Sequence, residues 1–154
     1  MGMSILVAED SSSFALLYKT ALGNRGHQVT VTKDGLECLY TYTEVFKNHQ
    51  LHGEKNFDLV ILDHLMPRMK GLDVAKEILA LNPNQRILLV TAHVQEMIKD
   101  VKTLPERIEL MSKPFPSLAM IRQVEGLAKH RLQKRMSRRF LDWDAETGFC
   151  EPLQ

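Results

Sequence analysis

The segment that most constrains the fold is an unbroken apolar run, Leu59–Leu62, which ends at the carboxylate of Asp63. A continuous run of branched apolar residues is typical of a strand that is covered on both faces of a parallel sheet. Ligands of open parallel sheets bind just beyond the carboxyl ends of the strands. The sequence therefore predicts that Asp63 is a reactive carboxylate at such an edge, with other groups placed around it.

Four further segments read as strands, and helical patterns separate them. The segments at Ile5 and Ile87 are apolar runs like the first, whereas those at Gln28 and Ile108 carry polar residues. This alternation predicts an α/β fold with a five-stranded parallel sheet and helices on both faces. Because the two more polar strands belong at the edges, the flavodoxin-like strand order 2-1-3-4-5 fits the pattern.

The helical segments follow from apolar spacing and from the residues that interrupt it. In the first of them, Phe14, Leu17 and Ala21 share one face, and Gly26 is expected to stop the helix. The polar stretch Asn48–Asn56 is interpreted as a surface loop. The predicted helices cover about residues 12–24, 36–47, 72–81 and 94–102, and a last one begins near residue 118.

Composition and charge narrow the class of protein. The 154 residues suit one domain with a full core, and 44% apolar and 25% charged residues are ordinary for soluble proteins. A net charge of +1 argues against a globally basic nucleic-acid binder. The two cysteines, Cys38 and Cys150, are far apart and predict neither a disulfide framework nor a zinc site. With no signal-peptide pattern and no run long enough to span a bilayer, a cytoplasmic protein with no membrane partner is expected.

Polar residues stand at the ends of the other central strands. Glu9 and Asp10 follow the first strand, Thr91 ends the fourth, and Lys113 follows the fifth. In the predicted order the first and third strands are neighbours, so Glu9 and Asp10 should meet Asp63 at one rim of the sheet. Three carboxylates at one place repel one another unless a cation compensates them. Their oxygen atoms suit a hard divalent ion, Mg²⁺ or Mn²⁺.

The remaining two strand-end groups complete a recognisable chemistry. The Thr91 hydroxyl can donate a hydrogen bond to a phosphoryl oxygen, and Lys113 supplies a fixed positive charge to the same pocket. A carboxylate nucleophile, a divalent metal, a hydroxyl donor and an ammonium together describe phosphoryl transfer onto an aspartate. The sequence therefore predicts that Asp63 accepts a phosphoryl group, with Thr91 and Lys113 assisting.

These motifs, taken together and in order, resemble a known family signature. They are Glu9-Asp10, Asp63 with Met66-Pro67 and Gly71, Thr91-Ala92, and Lys113-Pro114-Phe115. The chain resembles the response-regulator receiver domain over residues 4–131. The resemblance implies a signalling switch of a two-component system or phosphorelay, and not an enzyme with its own substrate. A sensor histidine kinase or a phosphotransfer protein would phosphorylate Asp63. The domain would also accept phosphoryl groups from small donors and lose them slowly by itself.

The resemblance also implies a role for each site residue. Asp10, Asp63 and the backbone carbonyl of Leu65 would hold Mg²⁺, and Glu9 would act through water. Mn²⁺ is an acceptable substitute. The family pattern further implies that Thr91 and Lys113 bind the phosphoryl group.

The switching part of the family pattern concerns the fourth and fifth strands. The resemblance implies a cis Lys113–Pro114 bond, and a movement of Thr91 that alters the strand 4/strand 5 face for partner binding or homodimerisation. Receiver domains commonly carry a Tyr or Phe three residues before the lysine, where this chain has Leu110. A change of the Leu110 rotamer would have to substitute for the movement of a ring.

The C-terminal part of the sequence, residues 132–154, is predicted to be a basic helix extension followed by an acidic aromatic tail. Lys129–Arg139 holds six Lys or Arg residues and no acid, whereas Phe140–Gln154 holds four acids and no base. Three interpretations stay open: a solvated helix with a poorly ordered end, a linker to an output domain, and an intermolecular contact such as a homodimer. No nucleic-acid-binding module is visible, so nucleic acid is not an expected partner.

Two other functions compete with the phosphoacceptor switch. A degenerate receiver would bind partners without phosphorylation, an alternative that Leu110 keeps open. A hydrolase of the haloacid-dehalogenase type would also use Asp63 and Mg²⁺. Such an enzyme needs a second acid two residues after its nucleophile, and this chain has Leu65 there.

Overall fold

The structure is a computed structural model that describes residues 2–103 and 107–127. The chain divides between Phe115 and Pro116 into two compact units. The first unit holds the five strands and four helices, and the described part of the second is helical over residues 117–127. The predicted basic extension and acidic tail at 132–154, and the predicted domain end at 131, lie outside the described residues.

The elements of the first unit alternate strictly between strand and helix. They are β1 (Ser4–Ala8), α1 (Ser12–Gly23), β2 (Gln28–Thr32), α2 (Gly35–His52), β3 (Leu59–Asp63), α3 (Gly71–Leu81), β4 (Ile87–Thr91), α4 (Val94–Val101) and β5 (Ile108–Ser112). No helix in the described ranges has both the length and the apolar character that crossing a bilayer requires.

The five strands form one parallel sheet in the order β2-β1-β3-β4-β5, which confirms the predicted order. Every residue of β3 and of β4 is buried, whereas burial alternates along β2, which lies at an edge. In the register, Ala8 pairs with Leu62, and Asp63 pairs with Val90. The carboxyl ends of β1, β3 and β4 therefore reach the same rim of the sheet.

The largest apolar cluster lies on one face of the sheet, where α2 and α3 pack. Alternate strand residues such as Leu6 and Leu62 meet Tyr42 of α2 and Ile78 of α3, all of them fully buried. Burial of each such side chain stabilises the fold by about 1.5–3 kcal/mol. The intervening strand residues point to the opposite face because successive side chains of a strand alternate. A core on both faces holds the central strands, and hence their ends, in place.

The bounds of the two first helices differ from the prediction. The stretch expected as a loop at Asn48–Asn56 is helical as far as His52, so that prediction was wrong for residues 48–52, whereas residues 53–56 are non-helical as expected. Its polar side chains face solvent, and a helix that buries only one face tolerates them. The helix ends at Gly53, whose φ of 69° is easy for glycine and whose N–H donates to the His49 carbonyl. Likewise, α1 ends at Gly23, and Gly26 occupies the turn beyond it with φ 85°.

Candidate functional site

Three acidic side chains gather at the carboxyl rim of the sheet, as the strand order predicts. Glu9 and Asp10 follow β1, and Asp63 is the last residue of β3. Carboxylate oxygens of the three lie within 4.8 Å of one another. Glu9 is 2% exposed and Asp63 is 9% exposed, while Asp10 faces solvent. Glu9 and Asp63 therefore form the buried part of the cluster, and Asp10 lies where the cluster opens to solvent.

Hydrogen bonds of the backbone hold the two segments that carry the buried carboxylates of Glu9 and Asp63. The N–H of Glu9 donates to the Thr32 carbonyl at 3.0 Å, which ties the end of β1 to β2. The Glu9 carboxylate in turn accepts from the N–H of Ser11 at 3.1 Å. Beyond Asp63, the N–H of His64 donates to the Val90 carbonyl at 2.9 Å, which continues the β3–β4 pairing by one residue.

Gly71 closes the loop that follows Asp63. Its N–H donates to the His64 carbonyl at 2.9 Å. A Cβ atom at this position would overlap the backbone carbonyl of Asp63. The glycine of the sequence motif is thus explained by a close approach of two backbone segments, which holds the loop against the end of β3.

Lys113 brings a positive charge into the cluster from β5. Its Nζ lies 2.9 Å from Oε2 of Glu9 and 3.4 Å from Oδ1 of Asp63. Its N–H donates to the carbonyl of Thr91 at 2.8 Å, which extends the β4–β5 pairing. The Lys113–Pro114 bond is cis, as the resemblance implied. The predicted meeting of this ammonium with the acids is therefore present.

Thr91 and Leu65 are also near the rim but are engaged differently. Thr91 is 2% exposed, and its Oγ1 accepts a hydrogen bond from the N–H of His93 at 3.0 Å. The structure joins Thr91 to Lys113 through the backbone. Leu65 lies two residues past Asp63 in the β3–α3 loop, and the residue is 55% exposed.

One neighbour of the site was missed by the sequence analysis, which assigned Phe14 only to a helix face. Its ring centroid lies 4.2 Å from Nζ of Lys113. No local sequence pattern signalled this contact, because Asp10 lies before α1 begins at Ser12 and the approach of Phe14 to Lys113 depends on how α1 packs against the end of β5. The buried residues of α1, Tyr18 and Leu22, were likewise not predicted from the sequence.

Burial dominates the electrostatics of the site. It raises the pKa of Glu9, against the lowering effects of Lys113 and of the Ser11 N–H. It also raises the pKa of Asp63, and the charge of Asp10 adds to that rise while Lys113 opposes it. Burial and the fields of these two acids raise the pKa of Tyr18 as well. Burial makes the negative charge of the acids costly, and three carboxylates face one ammonium, so the site would gain from a further cation.

The donor set fits a magnesium ion. Mg²⁺ prefers oxygen ligands, and proteins commonly hold it with one or two carboxylates plus waters. Three carboxylates within 4.8 Å of one another, with Asp10 open to solvent, meet that requirement. Their partial compensation by Lys113 leaves a local negative charge that attracts a cation.

The comparison with known families now decides the class. A family model described as the response regulator receiver domain matches residues 5–125. The chain belongs to this family. Receiver domains act as switches in two-component signal transduction, bind Mg²⁺ at an acidic pocket and interact with histidine kinases and phosphotransfer proteins. The predicted family, fold and signalling class are confirmed.

Individual relatives of this receiver domain agree. The chain is 25% identical over 132 residues to the chemotaxis protein CheY of Thermotoga maritima, covering 84% of this chain and 100% of CheY. It is 27% identical over 116 residues to sporulation initiation phosphotransferase F of Bacillus subtilis, covering 75% of this chain and 85% of that protein. The solved receiver domain of the Francisella response regulator 1452 is 26% identical, with a TM-score of 0.66 over 84% of this chain and 99% of that one.

Proposed function

We propose that this receiver domain is a phosphoacceptor whose Mg²⁺-dependent phosphorylation takes place on Asp63. The observation that carries the proposal is one cluster of groups. The carboxylates of Glu9, Asp10 and Asp63 gather within 4.8 Å, and the Lys113 ammonium lies 3.4 Å from Asp63. A nucleophilic carboxylate beside a fixed positive charge and a cation site is what phosphoryl transfer to aspartate requires.

The residues proposed to hold Mg²⁺ are Asp10, Asp63 and the backbone carbonyl of Leu65, with Glu9 acting through water. Mn²⁺ would be accepted at the same oxygen atoms. When bound, the divalent ion supplies positive charge that neutralises phosphoryl oxygens. The acid cluster and its uncompensated negative charge support this assignment.

The transfer itself uses side chains at the strand ends. An oxygen of Asp63 attacks the donor phosphorus, the new O–P bond forms, and the bond from phosphorus to the histidine nitrogen or acyl oxygen of the donor breaks. The leaving group keeps the electron pair. The ammonium of Lys113 offsets the charge on the phosphoryl oxygens. Thr91 accepts from His93 and so retains its own O–H, which can donate to one of those oxygens.

The proposed response lies along β4 and β5. A Thr91 hydroxyl that turns toward the phosphoryl group gives up its bond to the His93 N–H, and Lys113 is tied to the Thr91 carbonyl. Leu110 of β5 is partly buried against the core cluster and is the residue placed to follow this movement. The altered β4/β5 face would then bind a partner or a second copy of the chain.

The wider assignment follows from the same proposal. A sensor histidine kinase or a phosphotransfer protein would supply the phosphoryl group in the cytoplasm. Small phosphodonors would also serve, and the aspartyl phosphate would be lost slowly without a partner. The domain is proposed to span residues 4–131, with 132–154 as an extension that contacts another molecule or leads to an output domain.

The test is an intact mass measurement after incubation with acetyl phosphate and Mg²⁺. The wild-type chain should gain the mass of one phosphoryl group, and the gain should disappear with EDTA or in Asp63→Asn. Asp58→Asn is the matched control, because Asp58 lies at the other end of β3 and bonds the N–H of Ser4 at 2.8 Å. An adduct that persists in Asp63→Asn, or no adduct in the wild type, would refute the proposal.

A degenerate receiver remains the second candidate, and Leu110 is the residue that favours it. Such a domain would keep the same β4/β5 face whether or not a phosphoryl group is present. Beryllofluoride with Mg²⁺ mimics the phosphoryl group on aspartate. Amide NMR signals of β4 and β5 should shift on its addition if Asp63 controls this face. Binding without any shift at Leu110 and its neighbours would support the degenerate receiver.

A further inference from the structure

The ammonium of Lys113 has a third neighbour besides the two carboxylates. Its Nζ stands 4.2 Å from the centroid of the Phe14 ring. The Lys113 side chain is only 16% exposed, so water reaches the ammonium poorly. The face of an aromatic ring attracts a cation through the quadrupole of the ring, and the attraction is stronger where water is excluded. The ring is therefore part of the environment that holds this charge.

The position of the ring is fixed by the turn that carries the acids. Ser11 caps α1, and its Oγ accepts from the N–H of Phe14 at 3.5 Å. Phe14 is in the first turn of α1, four residues after Asp10. The backbone that delivers the two acids to the rim thus delivers the ring to the same place.

Phe14 belongs to a series of three aromatic rings. The ring of Phe115, two residues beyond Lys113, lies 6.1 Å from that of Phe14, and Tyr18 lies 6.1 Å from Phe115. Tyr18 is 1% exposed and stands one helical turn after Phe14 on α1. The three rings therefore follow one another between α1 and the end of β5, and the contact with Phe115 supports the Phe14 ring.

An aromatic ring beside the Lys113 ammonium acts differently from a further carboxylate at the same position. Nζ donates a hydrogen bond to Oε2 of Glu9 at 2.9 Å and lies 3.4 Å from Oδ1 of Asp63. A lysine ammonium has three such donors. The ring attracts the charge without competing as a conventional hydrogen-bond acceptor, so the N–H donors of the ammonium stay available to oxygen atoms. The ring therefore helps to hold the ammonium near both carboxylates.

We propose that Phe14 is a positioning residue for Lys113: its ring face holds the ammonium beside Asp63 and so sets how strongly Lys113 stabilises a phosphoryl group there. The inference rests on the proposed function, because it concerns the phosphorylated form of Asp63. The ring itself does not touch the reacting atoms. Its effect passes entirely through the charge and position of Lys113.

Stepwise fluorination of the Phe14 ring tests the proposal, because each fluorine weakens the quadrupole with little change in shape. Phenylalanine with one, two or three fluorine atoms is placed at position 14, and the dissociation constant of beryllofluoride with Mg²⁺ is measured by calorimetry. Affinity should fall with each fluorine, by about threefold to tenfold in total. Phe14→Tyr should retain the wild-type affinity, and Phe14→Leu should lose as much as the trifluoro ring.

Two controls separate electrostatics from packing. The same fluorinated series at Phe46, whose ring stacks on Tyr42 of α2, should leave beryllofluoride affinity unchanged. In a Lys113→Met background, fluorination of Phe14 should have no further effect. If the protein binds beryllofluoride with an affinity that does not change as fluorine atoms are added to Phe14, the role of the ring is overturned. The proposed function is not affected by that result. A wild-type chain that neither binds beryllofluoride nor gains a phosphoryl group would overturn the proposed function, and this inference with it.

A measurement without metal or phosphate tests the placement itself. The ring current of Phe14 should move the NMR signals of the Lys113 ε-methylene protons upfield of those of an exposed lysine, such as Lys19. Phe14→Leu should abolish the displacement, and Phe46→Leu should not. Wild-type signals of Lys113 at the position of Lys19 would contradict the contact.

Discussion

Two clusters of polar side chains lie at opposite ends of the strands of the same sheet, and they differ in charge. The cluster at the carboxyl ends of the strands contains Glu9, Asp63 and Lys113, with Asp10 at its mouth. The cluster at the amino ends is neutral. It joins Tyr42 of α2 to Asn82 and Gln85, which precede β4.

The neutral cluster satisfies its groups internally. The hydroxyl of Tyr42 donates to Oε1 of Gln85 at 2.8 Å and accepts from Nδ2 of Asn82 at 3.1 Å. The amide of Gln85 also donates to the Arg86 carbonyl at 3.1 Å. Buried polar groups that find such partners add to stability without any ligand. The neutral cluster therefore has the features of a purely structural hydrogen-bond network.

The charged cluster does not balance its groups internally in this way. Its acids outnumber its one ammonium, and burial raises the pKa of Glu9 and of Asp63. A fold selected only for stability would not keep such groups together, since burying a charge costs free energy unless it is fully paired. Unbalanced charge, rather than burial of polar groups, therefore distinguishes a ligand site from a structural network.

Removal of Asp10 should produce the largest effect and should act on binding only. In Asp10→Asn the affinity for Mg²⁺ should fall about a hundredfold, roughly 2.7 kcal/mol, because a proposed ligand and its charge are lost. The free energy of unfolding without metal should stay the same or rise, since a like charge near Asp63 disappears. Calorimetric titration and urea unfolding measure the two quantities. Equal Mg²⁺ affinity in Asp10→Asn and Asp58→Asn would contradict the assignment of the charged cluster as the metal site.

Removal of the Tyr42 hydroxyl should show the reverse pattern. In Tyr42→Phe the groups on Gln85 and Asn82 lose a partner inside the protein, which should lower the free energy of unfolding by about 1–3 kcal/mol. Mg²⁺ affinity should not change. Urea unfolding in EDTA, with calorimetry on the same sample, provides both numbers. A loss of Mg²⁺ affinity comparable to that of Asp10→Asn would show that the two clusters are coupled.

The two clusters were not equally visible in the sequence. The charged one was predicted because parallel strands end at a common rim, so residues after apolar runs, such as Asp63 and Lys113, must converge once the strand order is known. The apolar runs themselves gave that order. The neutral cluster has no comparable signal, since Tyr42, Asn82 and Gln85 come from separate segments and meet only through packing.

Two other features escaped the sequence for physical reasons. The last turn of α2 carries polar residues because that part of the helix is solvated, and polar stretches also form loops; only Gly53 marks the end. The contact between Phe14 and Lys113 depends on how α1 is placed against β5, which no local pattern encodes. Sequence reasoning therefore found what strand topology dictates and missed what tertiary packing decides.

The pH dependence of stability should also separate the clusters. Folding raises the pKa of Glu9 and of Asp63 above their ordinary values of 4.5 and 3.8. The folded state then binds these protons more tightly, so the stabilisation is complete below the ordinary values and is lost as pH rises through the raised ones. Urea midpoints in EDTA should show this loss for the wild type, less of it for Glu9→Gln, and an unchanged loss for Tyr42→Phe. A steeper loss in Glu9→Gln would contradict the assignment.

The smallest effect should come from an ion pair that matches the site in distance but not in burial. Arg68 Nη1 lies 3.4 Å from Oδ2 of Asp34, the same separation as between Lys113 and Asp63. The Arg68 side chain is 62% exposed, against 16% for Lys113. Exposed pairs are weakened by solvent and by salt. In Arg68→Ala the urea midpoint and the Mg²⁺ affinity should therefore stay within experimental error, whereas Lys113→Ala should change both. If Arg68→Ala lowered Mg²⁺ affinity as strongly as Lys113→Ala, distance alone would govern these pairs, and the contrast between buried and exposed charge would fail.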